Sequence, residues 1–320
     1  MRMSLSAALT ALLVVLSSTA HAQSGKPIKM IVAFPPGGPV DLVARLLVEP
    51  LSKDLGQPVV VENKPGANGG IAAELVAKGP ADGSVIFLTS SGATVINPSL
   101  YPNLPYDPLK DFAPVSRVVN SDTVLVVHPS NPATDAAQLA EASRKAAQSV
   151  PIGSAGIGST THLALELFQS ASKANLLHVP YKGAGPVIND LIADQVSGFF
   201  GDLPGLIGHI QGGKLKPLGI AAPKRHVLLP DVKTFAELGF PGTDSNNWYA
   251  VVVQAKTPRP FIDKLNAALR TALTTEPVRG KLINAGAVPD PSTPEEMVQV
   301  MRRDTEKFAK IIKDKNIKAE

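Results

Sequence analysis

Short apolar runs and longer stretches of helical period take turns along this chain of 320 residues. The runs IKMIVAF (28–34), PVVVEN (58–63), SVIFLTS (84–90) and TVLVVHP (123–129) are rich in β-branched residues and short, so they predict strands. VPIGS (150–154), LLHVPY (176–181), VSGFFG (196–201), LKPLGIAA (215–222) and WYAVVVQ (248–254) continue the series. Between the first two strands, Leu42, Val43, Leu46, Leu47 and Leu51 share one face of a helix over 40–55, and GGIAAELVAKG supplies a second helix. Near the end, Ile262, Leu265, Leu269 and Leu273 recur at helical spacing after Thr257-Pro258, which has the form of an N-cap followed by proline at the first helical position. Thr293-Pro294-Glu295-Glu296 has the form of a capping box opening a last helix. Strands alternating with helices predict a parallel α/β architecture rather than a sandwich.

The N-terminus changes this picture. Arg2, the apolar run 7–16 and Ala20-His21-Ala22 fit the three parts of a secretory signal over 1–22, which places the start of the mature chain at Gln23. The run is too short to span a bilayer, and no later segment approaches the roughly 20 apolar residues that spanning needs. The expectation is therefore an exported, soluble protein. The remaining length suits two domains of about 150 residues each. The absence of cysteine excludes disulfides, thiolate metal sites and cysteine nucleophiles, and it suits an oxidising compartment. The net charge of +4 is spread along the chain without a basic stripe, so no nucleic acid partner is expected, while anionic ligands are mildly favoured.

Candidate chemistry gathers in the turns. A strand, a glycine turn and a helix follow one another in IVAFPPGGPVDLVARLL (31–47) and again in VPIGSAGIGSTTHLALELF (150–168). A helix start offers unpaired N–H groups and a partial positive charge, and glycine lets an anion approach closely. Ser159, Thr160 and Thr161 add hydroxyl donors. Either loop alone would be ordinary capping; two facing one cleft would hold carboxylates. The loops 89–98 and 181–191 also follow strand ends, where ligands of open α/β sheets sit.

The catalytic patterns are incomplete. GHIQGGKL (208–215) has P-loop spacing, but Leu215 stands where a magnesium-holding hydroxyl belongs, so it is expected to be a helix end and turn. His162 and Glu166, four apart, lack a third ligand, and no metal or cofactor is expected. No G-x-S-x-G elbow occurs. Asp41 and Asp202 suit local capping better than acid–base work, and Trp248 and Tyr249 suit the core. Two alternatives to a binding role stay open: an exported hydrolase using Ser159 or His162, and a ligand-sensing subunit for a membrane kinase.

Six segments in order, IVAFPPGGPVDLVARLL, GQPVVVENKPGANGGIAAELVAKGPADG, YPNLPYDPLKDFAPV, GSTTHLALELF, HVPYKGAGPVINDLIADQV and HIQGGKLKPLGIAAPKRHVLLPDVKTFAELGFPG, resemble the periplasmic solute-binding receptors of tripartite tricarboxylate transporters, also called Bordetella uptake receptors. The resemblance covers nearly the whole mature chain. It implies a non-enzymatic, monomeric receptor with a two-lobed Venus-flytrap fold of the periplasmic-binding-protein type II class. Each lobe is then a mixed, mostly parallel sheet flanked by helices. The chain would cross between lobes near 124–129 and 246–251, giving a first lobe of 23–125 plus 247–320 and a second of 126–246. The ligands implied are dicarboxylates, tricarboxylates, aromatic acids or acidic amino acids, delivered to membrane transporter subunits. Carried over by position, Pro36, Gly37 and Gly38 form one jaw with Ser90, Ser91 and Gly92 beside it. Gly156, Gly158, Ser159 and Thr160 form the other, and Tyr181, Lys182 and Gly183 border the cleft. Members often carry an acid directly after the second phenylalanine of SGFFGDLPG; here Gly201 takes that place and the acid is displaced to Asp202, a further candidate ligand contact. The segment from Trp248 departs as well, with WYAVVVQAKTP in place of the usual glycine and Ala-Pro pair.

Overall fold

The structure is a computed structural model and describes residues 26–245 and 247–319. The expected signal segment and Gln23 lie outside the described residues. Eleven strands follow in chain order: β1 (Ile28–Val32), β2 (Val59–Asn63), β3 (Val85–Ser90), β4 (Phe112–Ser121), β5 (Thr123–Val127), β6 (Val150–Ser154), β7 (Leu176–Pro180), β8 (Gly198–Asp202), β9 (Lys216–Ile220), β10 (Asn247–Gln254) and β11 (Val288–Pro289). They form two sheets, ordered β11-β4-β10-β3-β1-β2 and β7-β6-β8-β5-β9. All of β1 except Lys29 is buried, as a strand must be when helices cover both faces of its sheet.

The polypeptide leaves the first sheet after Ser121 and enters the second at Thr123, then returns between Ser245 and Asn247. The first exchange thus falls at Asp122, ahead of the expected 124–129, because Val124–Val127 already pair inside the second sheet. The two strands that follow an exchange run against their neighbours: β5 is antiparallel to β8 and β9, and β10 to β3 and β4. Apart from these two and the short β11, the strands of each sheet share one direction. The fold is therefore the two-lobed α/β arrangement that the sequence led us to expect.

β4 is the long strand that periodicity did not mark. Its pairing with β10 shifts register twice, between Tyr249 and Ala250 and between Val251 and Val252, which sets Val118 and Val115 outside the ladder. Both valines are nonetheless fully buried, so the apolar positions of FAPVSRVVNS no longer alternate. Helices cover the sheets: Val43, Leu47 and Leu51 of the helix Pro39–Leu55 pack under the first, and Leu165 and Phe168 of the helix Thr160–Ser172 under the second.

Three helices rather than two close the chain, Arg259–Thr274, Val278–Asn284 and Pro294–Asp314. The last docks by apolar contact and by one buried polar link, from Trp248 Nε1 to Asp304 Oδ2 at 2.8 Å. Its capping box is present, with the Thr293 hydroxyl accepting from the Glu296 amide and the Glu296 carboxylate accepting from the Thr293 amide. Thr257 is different. The N-cap there is Pro258, and the Thr257 hydroxyl is buried without a partner. Thr293→Ala should therefore lower unfolding free energy by about 1 kcal/mol, whereas Thr257→Ala should be neutral or slightly stabilising. Urea denaturation of the two variants checks the contrast; equal losses would contradict it.

Candidate ligand-binding site

Four of the five strands β1, β3, β6, β7 and β8 end in turns that lead towards one cleft between the sheets, and β8 ends in Asp202 at its floor. An inner cavity of about 100 Å³ is walled by Pro36, Gly38, Pro39 and Val40 from the first turn and Ser159, Thr160 and Thr161 from the opposite side. Asn68, Ser90, Asn247 and Tyr249 complete its polar lining with Asp202. A wider outer cavity of about 670 Å³ is bordered by Tyr101, Gly156, Tyr181, Lys182 and Gly183. Phe34, Pro35, Asn68 and Ala155 belong to both walls, so the outer space is the mouth of the inner one.

Three helices begin at the inner wall: Pro39–Leu55, Thr160–Ser172 and Ala184–Ile192, the last through Ala184, Gly185 and Pro186. The first has no side-chain cap, and its N-cap is Gly38. The second is capped by Ser159, whose hydroxyl accepts from the His162 amide. This leaves the earlier amides of each helix without a capping side chain at the cavity wall, each start carrying about half a positive charge. Among the described residues, no lysine or arginine lines the inner cavity.

The two sides of the cleft meet. Asn68 Nδ2 donates to the carbonyl of Gly158 at 2.8 Å and to Asn97 Oδ1 at 3.1 Å. Asn68 itself sits in the left-handed region, φ 49°, which asparagine tolerates better than most residues. A side chain at Gly158 would overlap Leu100, and one at Gly183 would stand 3.2 Å from Pro35. Both glycines have positive φ as well, so close approach and backbone shape demand the same residue.

Asp202 joins the floor of the cavity to both exchanges of the chain. Its Oδ2 accepts from Asn247 Nδ2 and from the Tyr249 hydroxyl, each at 2.8 Å, and the Thr123 hydroxyl lies 3.4 Å from Oδ1. Thr123 also donates to the carbonyl of Ser245. Burial raises the Asp202 carboxyl to about 6 against the pull of these donors. Asp122, also raised to about 6, owes its shift to burial and then to the Asp202 charge. Behind the second jaw, His162 and His178 stack with ring centroids 3.9 Å apart. His162 Nδ1 accepts from the Gly158 amide at 3.1 Å, and burial, with the neighbouring His162 second, pushes His178 down to about 4.

Of the residues expected from the sequence, Pro36, Gly38, Ser90, Ser159, Thr160 and Asp202 line the inner cavity, and Gly156, Tyr181, Lys182 and Gly183 the outer one. Gly37, Ser91, Gly92 and Gly158 line neither. The Gly37 amide donates to Asp41 Oδ2, which confirms the local role of Asp41, and the Ser91 hydroxyl donates to Asn247 Oδ1. The Gly92 amide turns back to Ser90 Oγ, and Gly158 contributes through its backbone to Asn68 and His162. Asn68, Asn247 and Tyr249 were missed. Asn68 was within reach, since VVVENKPGANGGIAAELVA repeats the strand, glycine turn and helix of the two jaws. Tyr249 is a core residue, as its run suggests, but it borders the cavity and its hydroxyl donates to Asp202. Ser159 Oγ bonds the Gly156 carbonyl, Thr161 Oγ1 and the His162 amide, while the His162 ring faces Gly158 and Glu166, so no imidazole activates this serine.

Known proteins resemble this chain over most of their length. Protein BugT of Bordetella pertussis is 35% identical over 301 residues, 94% of this chain and 92% of the relative. The structure of MatC from Rhodopseudomonas palustris with bound malate superposes with a TM-score of 0.84 at 30% identity, covering 89% of this chain and 98% of that one. An R. palustris protein with adipate gives 0.88 at 32% identity, covering 91% and 98%. The family model described as the tripartite tricarboxylate transporter family receptor matches residues 43–317. With the cleft, the helix starts and this match in hand, the chain belongs to the receptor family of the tripartite tricarboxylate transporters.

Proposed function

We propose that this receptor captures a small dicarboxylate between its two lobes and delivers it to membrane transporter subunits, after export that removes residues 1–22. The observation that carries the reading is the inner cavity itself: three helix starts and neutral hydroxyl and amide donors, without a basic side chain on the wall. Such a wall favours an anion through oriented amides, the means by which helix N-termini hold carboxylates. Charge-assisted hydrogen bonds contribute about 1.5–3 kcal/mol each. Four or five of them offset the ordering costs of binding and leave the roughly 8 kcal/mol of a micromolar site. The adipate and malate held by the two related structures are of the same chemical class, a chain with a carboxylate at each end. The role is binding rather than catalysis, given that Ser159 lacks a base and that the relatives are receptors. Among the described residues, no helix is long and apolar enough to cross a membrane.

Closure on the ligand would draw on the contact between Asn68 and Gly158, which ties a loop of the first lobe to a jaw of the second. Thermal melts with mono-, di- and tricarboxylates and amino acids test the class. At a hundred times Kd, the favoured dicarboxylate should add about 2.7 kcal/mol; a flat response to all carboxylates contradicts the reading. Gly38→Val tests the jaw. Gly38 has an ordinary backbone, and its side chain would project at the cavity wall, 3.3 Å from the Pro35 carbonyl. Ligand affinity should fall at least about tenfold, about 1.4 kcal/mol, with a smaller loss of stability. Gly37→Val is less informative, because φ 77° at Gly37 would strain any side chain there. Asn68→Gly, which keeps the left-handed turn, should raise the rate of ligand release in stopped-flow displacement; an unchanged rate would remove Asn68 from closure.

A further inference from the structure

Among the described residues, Asp202 is the sole acidic side chain on the wall of the inner cavity, and it lies in a site whose proposed ligand is itself a carboxylate. Its donors, Asn247 and Tyr249, are neutral, as is the Thr123 hydroxyl beside it. Among the described residues, no lysine, arginine or histidine pairs with it, and the group its charge bears on is another carboxylate, Asp122. Across the cavity, the turns at Pro36–Val40, Ser159–Thr161 and Ala184–Pro186 bring no titratable side chain to the wall; the only other such group there is Tyr249, held protonated by burial. In a chamber of about 100 Å³, a bound carboxylate stands within a few ångströms of Asp202. Two ionised carboxylates cannot share such a space without a cation between them.

The geometry points to Asp202 as a proton-carrying selector: the receptor takes up one proton as it binds a dicarboxylate, and the protonated Asp202 donates to the ligand's inner carboxylate. The assignment rests on the carboxylate reading above. The balance is simple. The proton comes from solvent, no covalent bond forms, and release of the ligand returns the proton. Oδ2 is already engaged by Asn247 and Tyr249, which leaves Oδ1, with only the long Thr123 contact, as the atom free to carry the proton.

The sign follows from linkage. In the free receptor Asp202 ionises near pH 6, so below that pH the proton is already present and affinity is flat. Above it, each pH unit should weaken binding by up to about tenfold, since one proton must be recovered from an ever more dilute supply. Titration calorimetry with adipate and with malate, between pH 6 and 8 and in buffers of different ionisation enthalpy, reads this directly. Uptake approaching one proton per ligand is expected at pH 8, where both carboxyls of the free ligands are ionised. In Asp202→Asn, whose amide presents a fixed donor, affinity should be independent of pH over the same range and proton uptake should vanish. Binding by the native receptor with no proton uptake and a flat affinity overturns the assignment of Asp202 while leaving the carboxylate reading intact. Failure of every carboxylate to bind overturns both. The native measurement stands by itself should the variant fold poorly.

Discussion

The first amides of an α-helix have no partner within their own helix, and here three helices begin around one small cavity. Much of the surrounding sequence follows from that constraint. The helix Pro39–Leu55 opens with a glycine cap and a proline that has no N–H of its own, so Val40 and Asp41 present the first free amides. Ser159 satisfies the third amide of its helix and leaves the first two. Amides fixed by the backbone need no reorganisation to receive an anion, and they carry no charge that would hold a ligand too strongly for release. The absence of lysine and arginine from the inner wall belongs to the same arrangement.

Opposed to this positive rim stands Asp202, at the point where the two passages between lobes touch. Through Thr123 it meets the outgoing strand and through Asn247 and Tyr249 the returning one. Any rotation of one lobe against the other must move these partners, so the state of the cavity floor and the geometry of the passages are coupled by direct contact. The outer rim is joined separately, by Asn68 reaching to Gly158 and by Leu163 packing with Val95, Ile96, Leu100 and Trp248. Floor and rim thus report on the same closure from two ends.

Much of this was legible in residues. β6 and most of β1, β3, β7 and β10 follow their apolar runs, and in β1, β3 and β10 burial on both faces leaves a nearly uninterrupted signal. β4 escaped because two register shifts destroy its alternation, and that irregularity exists only once β10 lies beside it. The two jaws could be read from their glycines and hydroxyls, since helix capping is a local event. What each glycine does could not: Gly38 faces the cavity, while Gly37 turns inward to Asp41, and the two are adjacent in sequence. Asn247 and Tyr249 were hidden by their place in a strongly apolar strand, where only the three-dimensional position of Asp202 gives their polar atoms a purpose. Thr257 and Thr293 present the same capping pattern, yet only one caps, because Pro258 lies ahead of the first helical turn rather than within it.

The central claim, that a carboxylate is held by helix starts at the inner cavity, is tested most directly by a crystal structure with malate or adipate bound. The account predicts carboxylate oxygens about 2.7–3.2 Å from the first free amides of the helices Pro39–Leu55 and Thr160–Ser172. A ligand lodged in the outer mouth against Lys182, with the inner cavity holding only solvent, would contradict it.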